Sequence, residues 1–304
     1  MRKFTYLVPK TLDEAVSLNL SYGDRAKYVA GGTDVLVKIK EGKMTPDYLI
    51  SLKHIIAQGR PFLDHETGEL FIGAFLTHRS IETSSMIRKN YPILHDAVSN
   101  IGSVQIRNVA TIGGNLVNAV PSADGAIPLI TLDARAQIYG TKGKRTAELR
   151  RFFLGPGQCD LNSGEILTEL VIPPLAPRTG GAYVKHGRRS AMELPMLGAG
   201  VLLGLEEDLL TCAKVRICLG VAAPTPLRCI QAEKYLVGKA IDENSLVEAG
   251  KIAAEESKVR DSIRGVAWYR REMVGVMVLN RHCQLIAVKS KRYVFCHFLL
   301  PFLL

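Results

Sequence analysis

The apolar positions of this chain change period several times, and each change marks an element. Thr11-Leu12-Asp13-Glu14 has capping-box form, with Thr at the N-cap and Glu three residues on. Leu12, Ala15, Val16 and Leu20 then recur at helical spacing up to Gly23, which predicts the first helix. Tyr28-Val29-Ala30 reads as a short strand running into Gly31-Gly32, and further short strands are predicted at 48–52 and 70–72. A helix over 78–88 follows Thr77, and Pro92 opens another from a first-turn position. A glycine-marked segment, 102–114, interrupts before a further apolar run over 124–132. Strands at 136–139 and 165–172 close the first half.

Pro173, Pro174 and Pro177, with Gly180 and Gly181, form the best linker in the chain, and a domain boundary is expected near 177. Beyond it, 198–206 and 209–219 read as a hairpin around Glu206-Glu207-Asp208. In its second strand Val215, Ile217 and Leu219 alternate with Lys214, Arg216 and Cys218, the period of a half-buried strand. Ala223-Pro224-Thr225-Pro226 turns the chain into helices over 228–237 and 242–257, with a last helix beginning near Trp268. Strands followed by helices predict a small α+β layer domain. The expected division is 1–177, 178–278 and an atypical tail, 279–304. That tail holds no acidic residue, carries Arg281, Lys289, Lys291 and Arg292, and ends in a short apolar run. An interfacial anchor, a docking or frayed terminus, and an altered reading frame all stay open for it.

Composition narrows the class. A 304-residue chain that is 47% hydrophobic can bury two cores and is too apolar for a disordered one. Its net charge of +10 raises the question of nucleic acid, but aromatics make up only 7% and do not interleave with the basic clusters, as a stacking platform requires. Those clusters suit acidic partner subunits or solvent instead. Six cysteines, at 159, 212, 218, 229, 283 and 296, include no CxxC pair. That argues against a zinc finger or a Cys-ligated cluster. The opening has no signal-peptide apolar stretch, and no run is long enough to span a bilayer. A soluble, reduced, cytoplasmic protein is expected.

Two segments carry candidate chemistry. Ala30-Gly31-Gly32-Thr33-Asp34 follows a strand, and Thr111-Ile112-Gly113-Gly114-Asn115 follows a second apolar run. Paired glycines remove the Cβ that keeps a ligand off the backbone. Successive N–H groups can then converge on an anion, while Thr33, Thr111 and Asn115 offer small polar groups to phosphate or ribityl oxygens. Rival motifs are missing. Gly198-Ala199-Gly200 with Gly204 puts its last glycine one residue late for GxGxxG, Gly143-Lys144-Arg145 lacks the rest of a Walker A loop, and there is neither HExxH nor GxSxG.

With these flanks, 29–34 and the run Gln105-Ile106-Arg107-Asn108-Val109-Ala110 leading into 111–115 resemble the FAD-binding medium subunit of molybdenum hydroxylases. That family includes the flavin subunits of xanthine, carbon monoxide and nicotinate dehydrogenases. The likeness also takes in the opening 4–15, Pro121-Ser122-Ala123-Asp124, Gly164-Glu165-Ile166-Leu167 and 219–226, so it spans roughly 1–278. It implies an α+β fold, with a two-subdomain (PCMH-type) FAD-binding domain followed by a smaller α+β flavoprotein C-terminal domain. It implies FAD contacts at Val29, Ala30, Gly31, Gly32, Thr33, Asp34 and Val35, and at Thr111, Ile112, Gly113, Gly114 and Asn115. Gly102, Asp124, Leu167 and Lys185 match further flavin-contacting positions. Two readings remain for Asp124, an acceptor for cofactor donors or the N-cap of the next helix. Lys185 is equally open, as a contact or a solvated charge on a loop. No metal ligand and no catalytic side chain is implied.

The resemblance further implies an electron-transfer subunit. A molybdopterin-binding large subunit and a [2Fe-2S] small subunit would feed the FAD, with NAD⁺ or another acceptor taking the electrons. The rival reading is a stand-alone FAD-dependent oxidoreductase acting on a small molecule. It needs a proton-handling residue, for which His54, His78 and His95 are the candidates, each in a context that favours a surface or capping role.

Overall fold

The computed structural model describes residues 3–55 and 60–290, the side chains of 279–290 excepted. Its first layer is a parallel sheet of β1 (Thr5–Leu7), β2 (Ala26–Val29) and β3 (Tyr48–Ser51) in the order β1-β3-β2. Parallel neighbours need crossovers, which α1 (Leu12–Tyr22) and α2 (Val35–Lys40) provide. Thr11 caps α1 by accepting from the Glu14 amide at 3.1 Å. The buried face of α1 is rotated slightly from expectation: Leu20 is exposed, while Asn19 turns inward and accepts from the Gly164 amide at 2.9 Å.

The second layer is the antiparallel sheet β4-β5-β10-β6-β7. Its members are β4 (Phe62–Leu63), β5 (Leu70–Gly73), β6 (Arg135–Gly140), β7 (Gly143–Glu148) and, after the small hairpin β8–β9 (Phe153–Gly155, Gln158–Cys159), β10 (Ile166–Ile172). The stretch between β5 and β6 is all helix and turn: α3 (His78–Glu82), α4 (Ser85–Asn90), α5 (Pro92–Ser99), α6 (Val104–Arg107), α7 (Ile112–Val117) and α8 (Ala126–Thr131). The single helix expected over 78–88 is therefore two. Ser84 ends the first by starting the second, its Oγ accepting from the Ile87 amide at 3.3 Å.

The third layer is the antiparallel sheet β11 (Thr179–His186), β12 (Leu197–Leu205), β13 (Cys212–Gly220) and β14 (Leu227–Arg228). Gly180 and Gly181 thus belong to a strand, whereas the sequence suggested a linker. On one face the sheet packs against α9 (Ile230–Leu236), α10 (Glu243–Glu256) and α11 (Ala267–Ser290). On the other it meets α5 and α8, and Tyr183, Leu202 and Cys218 join the core of the second layer. Covered on both sides, β12 is buried at every residue, and Cys218 is buried where a half-exposed position was expected.

This second contact explains two of the three glycines that nearly spelled a nucleotide motif, Gly198 and Gly200. Gly198, Gly200 and Gly204 share one face of β12 at the strand's period of two, and Gly220 is the cross-strand partner of Gly198. A Cβ at Gly198 or Gly220 would lie 2.7 or 2.3 Å from Cδ1 of Ile127, and one at Gly200 would lie 2.9 Å from its Cγ2. Gly198, Gly200 and Gly220 form a socket for the Ile127 side chain of α8, whereas a Cβ at Gly204 would meet Thr179. The anchor, docking and reading-frame readings of the tail fall outside the described residues and side chains. Among the described residues no helix is long and apolar enough to cross a membrane.

Gly220→Ala overfills this socket, because Ile127 is hemmed in by the neighbouring glycines, and is expected to cost about 1–3 kcal/mol in urea unfolding. In an Ile127→Ala background the same change should cost far less, a coupling that a double-mutant cycle measures.

Candidate functional site

The site begins with a contact between backbones. β2 ends at Val29, residues 30–34 turn the chain, and α2 starts at Val35. A Cβ on Gly31 would sit 2.1 Å from the Val109 carbonyl oxygen and 2.9 Å from the Ala110 Cα, so glycine alone lets the first bend rest on 109–110. The second bend is pinned from behind. The amides of His78, Ile112 and Gly113 bond the carbonyls of Ala110, Leu76 and Ala74 at 3.0, 3.0 and 2.8 Å. Gly113 has no room for a side chain either, since its Cβ would lie 2.7 Å from the Ala74 carbonyl oxygen. Asn118 ties the bends laterally: its amide nitrogen donates to Asp34 at 2.9 Å and its oxygen accepts from Lys38 Nζ at 2.8 Å.

Between the bends lies a cleft of about 560 Å³, within the roughly 300–1,000 Å³ usual for cofactor and small-molecule sites. The structure places Ala30, Gly31, Gly32, Thr33, Asp34, Val35, Gly102, Thr111, Gly113, Gly114, Asn115, Asp124, Leu167 and Lys185 on its wall. Val29 and Ile112 stand behind it. Val29 packs with Ile39 and Leu49, and Ile112 is fully buried in the main core.

The two bends differ in what they offer. Among the described residues, the amides of 31–34 have no acceptor. In the second bend the amides of 112–115 are all spent, because Thr111 is the N-cap of α7 and the glycines lie in its first turn. Gly114 N–H goes to Thr111 Oγ1 at 3.1 Å and Asn115 N–H to the Thr111 carbonyl at 3.0 Å. Of the amides expected to converge on an anion at 111–115, those of 112–115 are therefore committed within the chain. The Thr111 hydroxyl proton remains free to donate, and so does the Asn115 amide nitrogen, whose oxygen accepts from Gly125 at 3.2 Å.

The N-cap reading of Asp124 does not hold. α8 has Gly125 at its N-cap and no side-chain cap. The Asp124 carboxylate is buried and accepts from Tyr183 Oη at 2.5 Å and Lys185 Nζ at 2.8 Å. Burial pushes its carboxyl above the usual range, against the pull of Lys185 and Tyr183. Lys185 lies on β11 rather than on a loop, and also donates to the Asn100 carbonyl at 2.9 Å. A strand of the third layer thereby supplies part of the cleft wall.

Of the three histidines, His54 is exposed and His95 sits 3.4 Å from Asp96, both away from the cleft. His78 is fully buried on the cleft wall, and burial, with the Arg107 charge, lowers its pKa to about 4. Sequence reasoning missed the apolar wall of Leu52, Phe75 and Ile166, which looks like any core stretch. It also missed Asn118 and the rim residues Met192, Glu193 and Leu194, which carry no motif.

Lys185→Met strands the buried Asp124 carboxylate and is expected to lower unfolding free energy by about 3 kcal/mol in denaturant titration. The His78 shift sets a second expectation. Its folded pKa lies below the unfolded value of 6.5, so the unfolded chain binds the proton first. Stability is then full above pH 6.5 and falls by about 3 kcal/mol as pH drops to 4. His78→Phe should remove that part of the pH slope, which urea unfolding at pH 7, 5 and 4 would reveal.

Comparison with known proteins agrees with this geometry. Residues 2–175 match the family model described as the FAD binding domain in molybdopterin dehydrogenase, and 182–283 match the CO dehydrogenase flavoprotein C-terminal domain. The chain is 32% identical over 268 residues to the xanthine dehydrogenase FAD-binding subunit of Escherichia coli O157:H7, covering 88% of this chain and 90% of that one. It is 33% identical over 242 residues to the nicotinate dehydrogenase FAD-subunit of Eubacterium barkeri, covering 78% and 81%. Its structure superposes on carbon monoxide dehydrogenase from Hydrogenophaga pseudoflava with a TM-score of 0.89 at 30% identity, covering 94% of this chain and 98% of that one. The chain belongs to the molybdenum hydroxylase family, as its FAD-binding medium subunit.

Proposed function

We propose that this oxidoreductase subunit works as the electron-transfer flavoprotein of a cytoplasmic multi-subunit complex. A [2Fe-2S] small subunit, served by a molybdopterin-binding large subunit, would supply the electrons, and NAD⁺ or another acceptor would receive them. The observation that carries the reading is the row of acceptor-free amides at 31–34 on a cleft whose other bend has the amides of 112–115 committed within the chain. Residues 31–33 are half-buried, and half-buried backbone N–H groups left without partners fit an anionic ligand, here the diphosphate of FAD.

Bound FAD supplies the redox chemistry, which no side chain in the cleft provides. The chain's own residues bind and orient. In this reading the amides of 31–34 and the Thr33 and Thr111 hydroxyls hold the diphosphate. Leu52, Phe75, Ile166 and Leu167 give an apolar wall that excludes water, and Met192, Glu193 and Leu194 border the opening. The Asp124–Lys185 pair fixes the third layer against the site. The stand-alone reading gains less support, since it needs a proton-handling side chain open to a substrate: His54 and His95 lie away from the cleft, and His78 on its wall is fully buried.

Full-length chain titrated with FAD should take up the flavin and quench its fluorescence. Gly31→Ala, which must push 109–110 away, should weaken that binding at least tenfold. A chain that takes up no flavin when FAD is supplied, or that turns over a small substrate without partner subunits, would overturn the reading.

A further inference from the structure

The three most exposed large apolar residues among those described are Ile263, Trp268 and Met192, at 93%, 69% and 67%. Single exposed apolar residues are ordinary, but these three share one neighbourhood. Met192 belongs to the loop 187–196, which joins β11 to β12 and whose residues 192–194 border the cleft opening. Both stems of that loop are covered by the turn that leads into α11. At one stem the Tyr269 hydroxyl meets His186 Nε2 at 3.2 Å. At the other, a Cβ on Gly265 would lie 2.8 Å from Met196 Sδ. Trp268 is next to Tyr269 in the chain, and Ile263 is two residues from Gly265, so turn and loop lie side by side. Leu194 and Val266 add further exposed apolar surface.

The turn is braced from within. Ser262 and Gly265 exchange backbone hydrogen bonds at 3.0 and 3.1 Å, and the Asp261 carboxylate accepts from the Ala267 amide at 2.6 Å. Its charge is one-sided. Residues 187–196 and 257–272 carry seven basic residues, six of them arginine, against three acidic ones. Two of those three carboxylates are already committed, Asp261 to Ala267 and Glu193 to the Arg189 amide at 2.6 Å. Arg270 is buried under the turn and donates to the Ser262 hydroxyl rather than to a carboxylate. Burial, with the Arg264 and Arg260 charges, pushes it below its ordinary range, so the local field is positive and uncompensated.

Tryptophan, methionine and arginine with few free carboxylates make up the usual centre of a protein interface. Ile263 and Trp268 stand outside the cleft wall, so no small molecule in the cleft covers them. A protein that hands electrons to a group in the cleft must come to its opening, because electron transfer falls off steeply with distance. We propose that 187–196 and 257–271 form the docking surface for the [2Fe-2S] subunit, which meets them with an acidic face around an apolar centre. The proposal rests on the electron-transfer reading above. Trp268 is the anchor, and the arginines steer the partner and fix its register.

Trp268 is the only tryptophan of the chain, so full-length chain grown on 5-fluorotryptophan gives a single ¹⁹F resonance. In the free chain that resonance should show a solvent isotope shift between H₂O and D₂O. A Trp268 already shielded there, by another segment of this chain or by a second copy, overturns the proposal. On adding the [2Fe-2S] subunit a complex should form in gel filtration, and the isotope shift should be lost. Trp268→Ser and Arg260→Glu should each weaken the complex about tenfold or more while FAD uptake is kept. The urea midpoint of Arg260→Glu should hold or rise, because the change relieves Arg270, and its complex should be less sensitive to salt than that of wild type. No complex with wild type would overturn the electron-transfer reading and this one with it. A complex in which Trp268 stays exposed, or one that both variants form with unchanged affinity, would overturn the docking surface and leave that reading standing.

Discussion

The site depends on an approach of two main chains too close for any side chain between them. Gly31 meets Val109 and Ala110 at a separation that a single methyl group would abolish. Everything local to the cleft follows from that contact. It lets 30–34 turn beside α7 and brings Asp34 within reach of Asn118. It also leaves the amides of 31–34 on the cleft side, where the chain offers them no acceptor. Hydrogen bonds from Ile112 and Gly113 to the segment after β5 then hold the opposite bend against retreat. Rigidity here is a matter of backbone packing more than of side-chain chemistry, as suits a site whose ligand carries its own reactivity.

Much of this was legible in the sequence because glycine pairs in these flanks are uncommon and their cause is steric. Helix caps at Thr11 and Thr77 and the first-turn Pro92 were readable for the same reason, since each uses one residue type for one geometric task. What stayed hidden were properties of the assembled layers. β7 is an exposed edge strand of Lys144, Arg145 and Thr146 with too little apolar alternation to announce itself. Gly180 and Gly181 look like linker residues and become strand only because β12 is there to pair with them. The second bend looked like an anion loop, and only the placement of α7 reveals that Thr111 and the turn after β5 consume the amides of 112–115.

Electrostatics follow the same division. The salt bridge of Lys185 and Asp124 is shielded at both ends, with side chains only 11% and 5% exposed, and joins layers that are distant in sequence. A pair so enclosed contributes orientation more than net stability, because desolvation offsets most of its attraction. The more exposed bonds from Arg145 to Glu165, both 2.7 Å, lower that carboxyl's pKa to about 2 and keep it ionised beside the cleft.

The glycine socket for Ile127 has a consequence for how such chains can be recombined. α8 belongs to the flavin half by sequence, yet its side chain is seated in strands of the other half, so the two halves share one buried seam. A chimera that joins the front of this chain to the back of a relative would have to match knob and socket across the splice. The natural unit of exchange is consequently not the domain but the domain together with the three strand glycines that receive its helix.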